Sequence, residues 1–356
     1  MPLSDYRYTS TAAITAARAA RATYEAGQPA TASLPKSCPL LAVVGDMVNE
    51  PDNKYRDAEE GTPVISRHLD VSNLVVSSNC TWFCNLGDNV YLHGELANFQ
   101  TCYEVSFGRV KAKTLPMPGN HEYDATTNAS GYFTYFGNRA GLVNASGAGG
   151  YYAVNIANWR YYVINAMTST AQGGAQASWL EADLAKAKAE TPPRPAIVGW
   201  HHPRWTDGLQ GVVNYPGVDY LWQIMYAAGN VQIALAGHDH NYQRWDTIKT
   251  TTPAGNYTGL QGNGTDYPPT TVADGITQFI VGCGGNNFFQ LSPGRPGTIL
   301  PLGPVGGAGP AGGSTWGIDN QFGVLFLRLG PASWDFMFKS VDGVIWDQGT
   351  RTTHFH

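Results

Sequence analysis

The sequence has 356 residues, of which only 14% are charged, and its formal net charge is −5. Its 22 lysines and arginines provide too little positive charge for the phosphate contacts of a nucleic-acid-binding protein. No apolar run reaches the roughly 18 residues that a membrane-spanning helix needs, and the 43% of hydrophobic residues exclude intrinsic disorder.

The first 37 residues predict a helical and linker extension, with a helix-forming run at 12–26. After it, short apolar runs alternate with helical patterns, as in a layered α/β protein whose strands are buried. The predicted strands cover 40–45, 82–86, 151–156, 160–165, 196–200, 231–236, 276–282, 323–329 and 334–339, and the predicted helices cover 95–113, 175–190 and 220–228. We therefore predict one domain over 38–350, with a long surface loop at 292–317 and a tail at 351–356.

The composition favours an extracellular or periplasmic protein. Charged residues are few, Tyr, Trp and Gly are abundant, and N-x-[ST] glycosylation sequons occur at Asn79, Asn128, Asn144, Asn256 and Asn263. The N-terminus lacks the charged and then apolar layout of a signal peptide. The five cysteines form no C-x-x-C pair, and their odd number leaves one thiol free if two disulfides form.

Polar clusters of metal-ligand type follow the apolar runs. Five of the nine histidines lie in them, and the clusters are Gly45-Asp46, Gly87-Asp88 with Tyr91, Gly119-Asn120-His121-Glu122, His201-His202 and Gly237-His238-Asp239-His240. Ligand sites of layered α/β proteins collect at the carboxyl ends of strands. Two neighbouring cations need a bridging carboxylate, and both oxygens of Asp88 are acceptors. These clusters therefore predict a binuclear metal centre.

Four of these blocks resemble those of the calcineurin-like metallophosphoesterases, and specifically the purple acid phosphatases. They are G-D-x-x-Y at 87–91, G-N-H-E at 119–122, V-x-x-H at 198–201 and G-H-x-H at 237–240. The first family block, D-x-G, is incomplete because Val48 follows Asp46-Met47. The resemblance implies an α/β fold, a four-layer α/β/β/α sandwich of two mixed β-sheets flanked by helices.

The resemblance also implies the metal ligands. The first ion would be held by Asp46, Asp88, Tyr91 and His240, and the second by Asp88, Asn120, His201 and His238. Ordinary relatives have a histidine ligand where this chain has Val48, and Tyr91 is placed to substitute for it. Because a phenolate favours ferric iron, the expected cofactors are Fe(III) and a divalent Fe, Zn or Mn.

The predicted activity is hydrolysis of phosphate monoesters by attack of a metal-bound hydroxide. We expect His121 to bind the phosphate or protonate the leaving alkoxide, with Glu122 orienting it. His202 is a second candidate proton donor, although a structural role fits equally. The expected partner is a small phosphate ester, with no nucleic acid and no membrane span. Two alternatives stay open: a phosphodiesterase or nucleotide phosphohydrolase with the same centre, and a non-catalytic extracellular structural protein built on this fold.

Overall fold

The computed structural model describes residues 34–49, 67–124, 126–141, 149–208, 216–251, 269–289, 291, 300–301 and 316–356. The strands are β1 Leu40–Val44, β2 Val48–Asn49, β3 Trp82–Asn85, β4 Val90–Tyr91, β5 Thr114–Leu115, β6 Tyr152–Ile156, β7 Trp159–Val163, β8 Ala196–Gly199, β9 Val231–Ala236, β10 Tyr242–Lys249, β11 Thr270–Thr271, β12 Ile276–Val281, β13 Leu300–Pro301, β14 Trp316–Ile318, β15 Gly323–Leu329, β16 Ser333–Ser340 and β17 Ile345–Thr352. The α-helices are α1 His68–Ser77, α2 Leu96–Asn98, α3 His121–Asp124, α4 Ser130–Phe136, α5 Ala175–Ala189 and α6 Asp219–Ala228. The predicted helix at 12–26 and most of the predicted loop at 292–317 lie outside the described residues.

The strands form two large mixed sheets. One sheet has the order β17-β16-β15-β1-β3-β5, in which β1 is parallel to β3 and antiparallel to β15. The other has the order β13-β14-β10-β12-β9-β8-β7-β6, and β11 pairs with β10. Its central strands β7, β8, β9 and β12 are parallel. A short parallel ladder joins β2 to β4.

The core lies between the sheets and beneath the outer helices. Successive side chains of a strand point to opposite faces, and β9 shows this clearly. Its Ile233 and Leu235 belong to the large core that also contains residues of the first sheet. Ala234 belongs to a second core, which the side chains of α5 and α6 complete. On the other side of the molecule, α1 packs against β15. The predicted four-layer sandwich is therefore confirmed.

The topology brings the carboxyl ends of strands from both sheets together. The chain leaves β1 and β3 of one sheet, and β8, β9 and β12 of the other, at the same edge of the sandwich. Gly45, after β1, donates its N–H to the carbonyl of Val281 at the end of β12 over 2.9 Å. The carbonyl of Leu86, after β3, accepts a 2.7 Å hydrogen bond from the ring of His201. The polar clusters therefore converge at the junction of the two sheets.

The predicted helix at 95–113 is wrong as a single element. The segment divides into α2, a π-helical turn at Phe99–Tyr103 and a 3-10 helix at Phe107–Lys113. Ser106 between them has non-helical φ and ψ of −109° and −98°. Its hydroxyl donates to the carbonyl of Cys102 over 2.9 Å, and such a side-chain bond competes with the helical pattern.

The C-terminal residues pack against the body of the protein. β17 extends to Thr352, and the N–H of His356 donates to the carbonyl of Gly229 after α6 over 3.1 Å. The five cysteines are all free thiols. Among the residues that the structure describes, no helix has the length and apolar character needed to span a membrane.

Candidate metal centre

Three of the predicted ligands lie in turns with left-handed backbone. Asp46, Asp88 and His238 have φ values of 59°, 46° and 68°. Such conformations are strained for residues other than glycine and persist where the surrounding structure fixes them, often at functional sites. The turn before Asp88 also needs Gly87, whose φ is 90° and where a Cβ would lie 2.6 Å from Nδ1 of His201. The backbone of these turns therefore brings the three side chains to one place.

Four predicted ligands meet around the hydroxyl of Tyr91, and we call them the first half-site: Asp46, Asp88, Tyr91 and His240. The Tyr91 oxygen lies 2.8 Å from Oδ1 of Asp46, 3.1 Å from Oδ2 of Asp88 and 2.9 Å from Nε2 of His240. All four side chains are buried. Two carboxylates, a phenol and an imidazole within hydrogen-bonding distance form a donor set that suits a hard, highly charged cation.

The second half-site consists of Asp88, Asn120, His201 and His238. One ligand atom from each of Asp88, His201 and His238 lies within 4.8 Å of the others. The Oδ1 atom of Asn120 is buried without a hydrogen bond, and so is Nε2 of His201, which lies 3.2 Å from Oδ2 of Asp88. Because buried polar atoms are rarely left without a partner, these atoms fit a bound cation.

The histidine tautomers favour metal binding. Nδ1 of His201 donates to the carbonyl of Leu86 over 2.7 Å, so Nε2 is the ring nitrogen that faces Asp88. Nδ1 of His240 donates to Oδ1 of Asn287 over 3.0 Å, which leaves Nε2 facing Tyr91. Metal-binding histidines in proteins usually donate their second ring N–H in this way.

The metal-free chain holds protons that a bound cation would replace. Burial lowers the pKa of His201, but the carboxylate of Asp88 raises it to about 9, so this ring is protonated. Burial raises the pKa of Asp88, but the charges of the nearby His201 and His121 rings have a larger, opposite effect. The pKa of Asp88 is therefore well below its usual range. Burial lowers the pKa of His238 well below its usual value, so this imidazole is neutral. Burial and the charges of Asp46 and Asp88 raise the pKa of Tyr91. The phenol therefore keeps its proton until a cation replaces it.

The two predicted catalytic histidines flank these half-sites. His121 contacts the Leu92 carbonyl at 2.6 Å and Oδ2 of Asp124 at 2.9 Å through Nδ1, and its Nε2 lies 3.8 Å from Oδ2 of Asp88. Its side chain is 23% exposed, so it faces both the centre and solvent. The ring centroid of His202 lies 4.0 Å from that of His238. Burial and His201 lower the pKa of His202 to about 3.

The prediction that Glu122 orients His121 is wrong, because Asp124 makes that contact. The buried carboxylate of Glu122 instead accepts the backbone N–H groups of Asn89 and Gly119, both over 2.7 Å. It therefore joins the loop that carries Asp88 to the loop that carries Asn120.

Three residues on the loop after β12 were not predicted from the sequence. Asn287 accepts the hydrogen bond from His240, Asn286 contacts Tyr91, and the ring of Phe289 stacks on that of His240. A signal was available: the apolar run 276–282 is followed by Cys283 and then by two Gly and two Asn residues, and the runs before Asp88 and Asn120 are likewise followed by Gly and a polar residue.

Comparison with known proteins identifies the class. The profile of the calcineurin-like phosphoesterase family matches residues 40–242. The chain belongs to the calcineurin-like phosphoesterases, a family of metal-dependent phosphoesterases, as the sequence motifs predicted. No curated protein matches the sequence significantly.

Several solved structures share the fold. Purple acid phosphatase PPD1 from yellow lupin (Lupinus luteus) seeds has a TM-score of 0.61 and 19% identity, and the match covers 89% of this chain and 54% of the lupin chain. This chain therefore spans about half the length of that protein. GAP50, the anchor in the inner membrane complex of Plasmodium, has a TM-score of 0.56 and 14% identity, with 90% of each chain covered. PhoD has a TM-score of 0.51 and 11% identity, with 92% of this chain and 70% of PhoD covered. At these identities the likeness establishes the fold.

Proposed function

We propose that this chain hydrolyses phosphate monoesters with a binuclear metal centre, in a catalytic domain that spans 38–350. The metal ligands would be Asp46, Asp88, Tyr91, Asn120, His201, His238 and His240. The observation that carries the proposal is the position of the Tyr91 hydroxyl, within hydrogen-bonding distance of three other predicted ligands. Membership of a phosphoesterase family supports the hydrolytic chemistry.

The proposed cofactors follow from the donor set of each half-site. The first half-site has a phenol and would hold Fe(III), because phenolate is a hard and strongly donating ligand. The second half-site has two imidazoles, an amide and a carboxylate and would hold a divalent Fe, Zn or Mn. When bound, two such ions supply activated water and stabilise negative charge on the phosphoryl oxygens.

The side chains around the centre would handle the phosphate and the leaving group. Nε2 of His121 lies 3.8 Å from Oδ2 of Asp88, and the side chain is partly exposed to solvent. Its Nδ1 is held by the Leu92 carbonyl and Asp124, so the ring is fixed with Nε2 toward the centre. In this position His121 would bind a phosphate oxygen or donate a proton to the departing alkoxide. His202, packed on His238, is the second candidate; since its pKa is about 3 in the chain alone, it would act as a proton donor only after a bound phosphate raised that pKa.

Two other functions remain candidates on specific observations. A phosphodiesterase or nucleotide phosphohydrolase would use the same ligands and differ in the loops around them. One similar structure is the anchor in the inner membrane complex of Plasmodium, so an anchoring protein also has this fold. A non-catalytic role is disfavoured here because the seven predicted ligand positions carry residues with donor atoms.

The test combines metal analysis with two substrates. We expect the purified protein to hold iron, to absorb visible light through tyrosinate-to-iron charge transfer, and to hydrolyse p-nitrophenyl phosphate faster than bis(p-nitrophenyl) phosphate. Asp88→Ala should lose metal and activity together. Faster diester cleavage would favour the phosphodiesterase. A metal-free wild-type protein with no hydrolytic activity would favour the anchoring role.

We also propose that the protein is secreted or periplasmic. The low content of charged residues and the five sequons support this location. Of the sequons in the described residues, Asn79 and Asn128 are both exposed. Expression in a glycosylating host tests the proposal, because Asn128→Gln should remove one glycan from the secreted protein. The same mass for both proteins would argue against glycosylation of Asn128.

A further inference from the structure

The loop Cys283–Phe289, which follows β12, lies directly against the first half-site. Its Gly284 donates a backbone hydrogen bond of 3.0 Å to the carbonyl of Gly45. Its Asn286 donates another, of 3.3 Å, to the carbonyl of Asp46. Because these two bonds hold the turn that presents the Asp46 carboxylate, the loop fixes the backbone of one ligand.

The side chain of Asn286 reaches a second ligand of the same half-site. Its carbonyl oxygen accepts the N–H of Asn287 over 2.9 Å, so its NH₂ group is left to face other partners. This side chain hydrogen-bonds Tyr91, so the loop contacts a second ligand of the first half-site besides Asp46.

Asn287 and Phe289 hold the third ligand, His240. Oδ1 of Asn287 accepts the Nδ1–H of the ring over 3.0 Å. The ring of Phe289 lies parallel to that of His240, with 4.0 Å between centroids and 4° between planes. The hydrogen bond fixes the tautomer and the stacking fixes the plane, so Nε2 stays directed at Tyr91 and Asp46.

The second half-site is held by a different contact. The ring of His201 donates to the backbone carbonyl of Leu86 after β3, and not to a side chain of the 283–289 loop. Changes in this loop should therefore affect the first ion more than the second.

We propose that Asn287, together with Asn286 and Phe289, is a positioning residue of the first half-site. By fixing His240 and Tyr91, the loop sets how tightly this half-site holds its ion and how strongly the ligands donate to it. The inference rests on the proposed function for the identity of that ion as Fe(III). Such outer contacts typically change metal affinity by roughly 10–100-fold when they are removed.

The experiment compares variants of the full-length protein after metal loading. Asn287→Leu removes the acceptor at similar size, Asn287→Asp replaces it with a charged acceptor, and Phe289→Leu removes the stacking ring. Phe288→Leu is the matched control, because Phe288 of the same loop packs on Phe322 instead of His240. Asn158→Asp, in the β6–β7 turn, controls for the added charge. Iron and divalent metal per chain are measured after dialysis against a chelator, together with the visible spectrum.

We expect Asn287→Leu and Phe289→Leu to lose iron at roughly 10–100-fold lower chelator concentration than wild type, while divalent metal is retained longer. Asn287→Asp makes His240 a stronger donor, so the charge-transfer band should move to shorter wavelength. Both control variants should match wild type. If one variant fails to fold, which circular dichroism detects, the other two still test the loop.

The outcomes separate this inference from the proposed function. A wild-type protein that holds iron and is coloured, with iron retention and band position unchanged in all three loop variants, overturns the inference alone. A colourless wild-type protein overturns the ferric assignment. The role of Asn287 is then tested with Zn²⁺, by comparing the chelator concentrations that remove the ion from Asn287→Leu and from wild type. A wild-type protein that binds no metal overturns both.

Discussion

The hydroxyl of Tyr91 donates a 2.8 Å hydrogen bond to Oδ1 of Asp46, although 45 positions separate the two residues in the chain. The β2–β4 ladder explains this proximity, because it pairs Val48 with Val90 and Asn49 with Tyr91. Val48 is buried and supplies no ligand atom. In the proposed centre, the phenol of Tyr91 would therefore provide the donor atom on this side of the first half-site.

Tyr91→Phe tests this contribution directly, since it removes the phenolic oxygen and keeps the buried ring. We expect loss of the visible band and roughly 10–100-fold weaker retention of the first ion. Tyr152→Phe is the matched control, because the hydroxyl of Tyr152 donates to the Pro116 carbonyl and not to the centre. Absorption spectroscopy and metal analysis measure both effects. An unchanged band in Tyr91→Phe would contradict a tyrosinate ligand.

In Asp88→Asn, added metal should no longer stabilise the fold. An ion present at 100 times its Kd stabilises a folded protein by about 2.7 kcal/mol if it does not bind the unfolded chain. We expect wild type, first stripped by a chelator, to gain stability against urea when Zn²⁺ or Mn²⁺ is added. Asp88→Asn should gain little, because Oδ2 of Asp88 faces both half-sites. Asp335→Asn, whose carboxylate binds Thr350, should respond like wild type. Equal stabilisation of Asp88→Asn would exclude Asp88 as a ligand.

His121→Asn tests the proposed proton donor. His121 belongs to neither half-site, and its Nδ1 contacts the Leu92 carbonyl and Asp124. Replacement of His121 should therefore leave the metal content unchanged. The rate constant kcat should fall roughly 10²–10⁴-fold for alkyl phosphates, which need protonation of the leaving oxygen. The loss should be smaller for p-nitrophenyl phosphate, whose leaving group is stable without a proton. Equal losses on both substrates would assign His121 to phosphate binding, and His202→Asn would then be tested for the acid role.

Asp183, away from the metal centre, should make the free energy of unfolding depend on pH, and Asp183→Asn tests this. Burial raises the pKa of Asp183, but hydrogen bonds from Arg160 at 2.8 Å and Tyr162 at 2.9 Å lower it below its usual value. A lowered pKa stabilises the fold above the unfolded-state pKa of about 4, and this contribution disappears as the pH falls through the folded-state pKa.

We therefore expect Asp183→Asn to lower the free energy of unfolding by about 1 kcal/mol at pH 7, with a smaller difference below about pH 4. Urea denaturation of the metal-free protein measures it. Asp70→Asn is the control, because Asp70 pairs with Arg67 on the surface, where ion pairs contribute little. A difference that is constant with pH would show that the carboxylate charge of Asp183 is not involved.

The sequence was sufficient to predict the fold class and nine of the seventeen strands in the described residues. Buried parallel strands are continuous apolar runs, so β8, β9 and β12 were visible within one or two residues at each end. β10 was not predicted, because its residues Tyr242–Lys249 are mostly polar although the first four are buried. The burial of Gln243 and Arg244 depends on partners in other elements, such as Asp347 on β17 for Arg244.

The candidate ligands were also predictable, and the residues that hold them were not. Each ligand follows a strand within a short motif, so local spacing is enough to find it. Asn287 contacts His240 from a position 47 residues away, and the Gly and Asn residues after the run 276–282 do not indicate which ligand they would contact. Glu122 was assigned to its sequence neighbour His121, whereas its carboxylate binds the backbone of Asn89, 33 residues away. Contacts of this kind depend on which strands are neighbours within a sheet, here β9 with β12 and β3 with β5, and spacing along the chain does not encode that order.

The convergence of strand ends from both sheets has a consequence for the order of folding events. Oδ2 of Asp46, after β1, accepts the N–H of His238, after β9, across 192 positions of sequence. Closing a loop of this length costs conformational entropy, which the packing of both sheets must first offset. The donor atoms therefore come together only after the sheets have docked. Capture of metal would then be a late folding event, and a bound ion would act as a cross-link between the two halves of the sandwich.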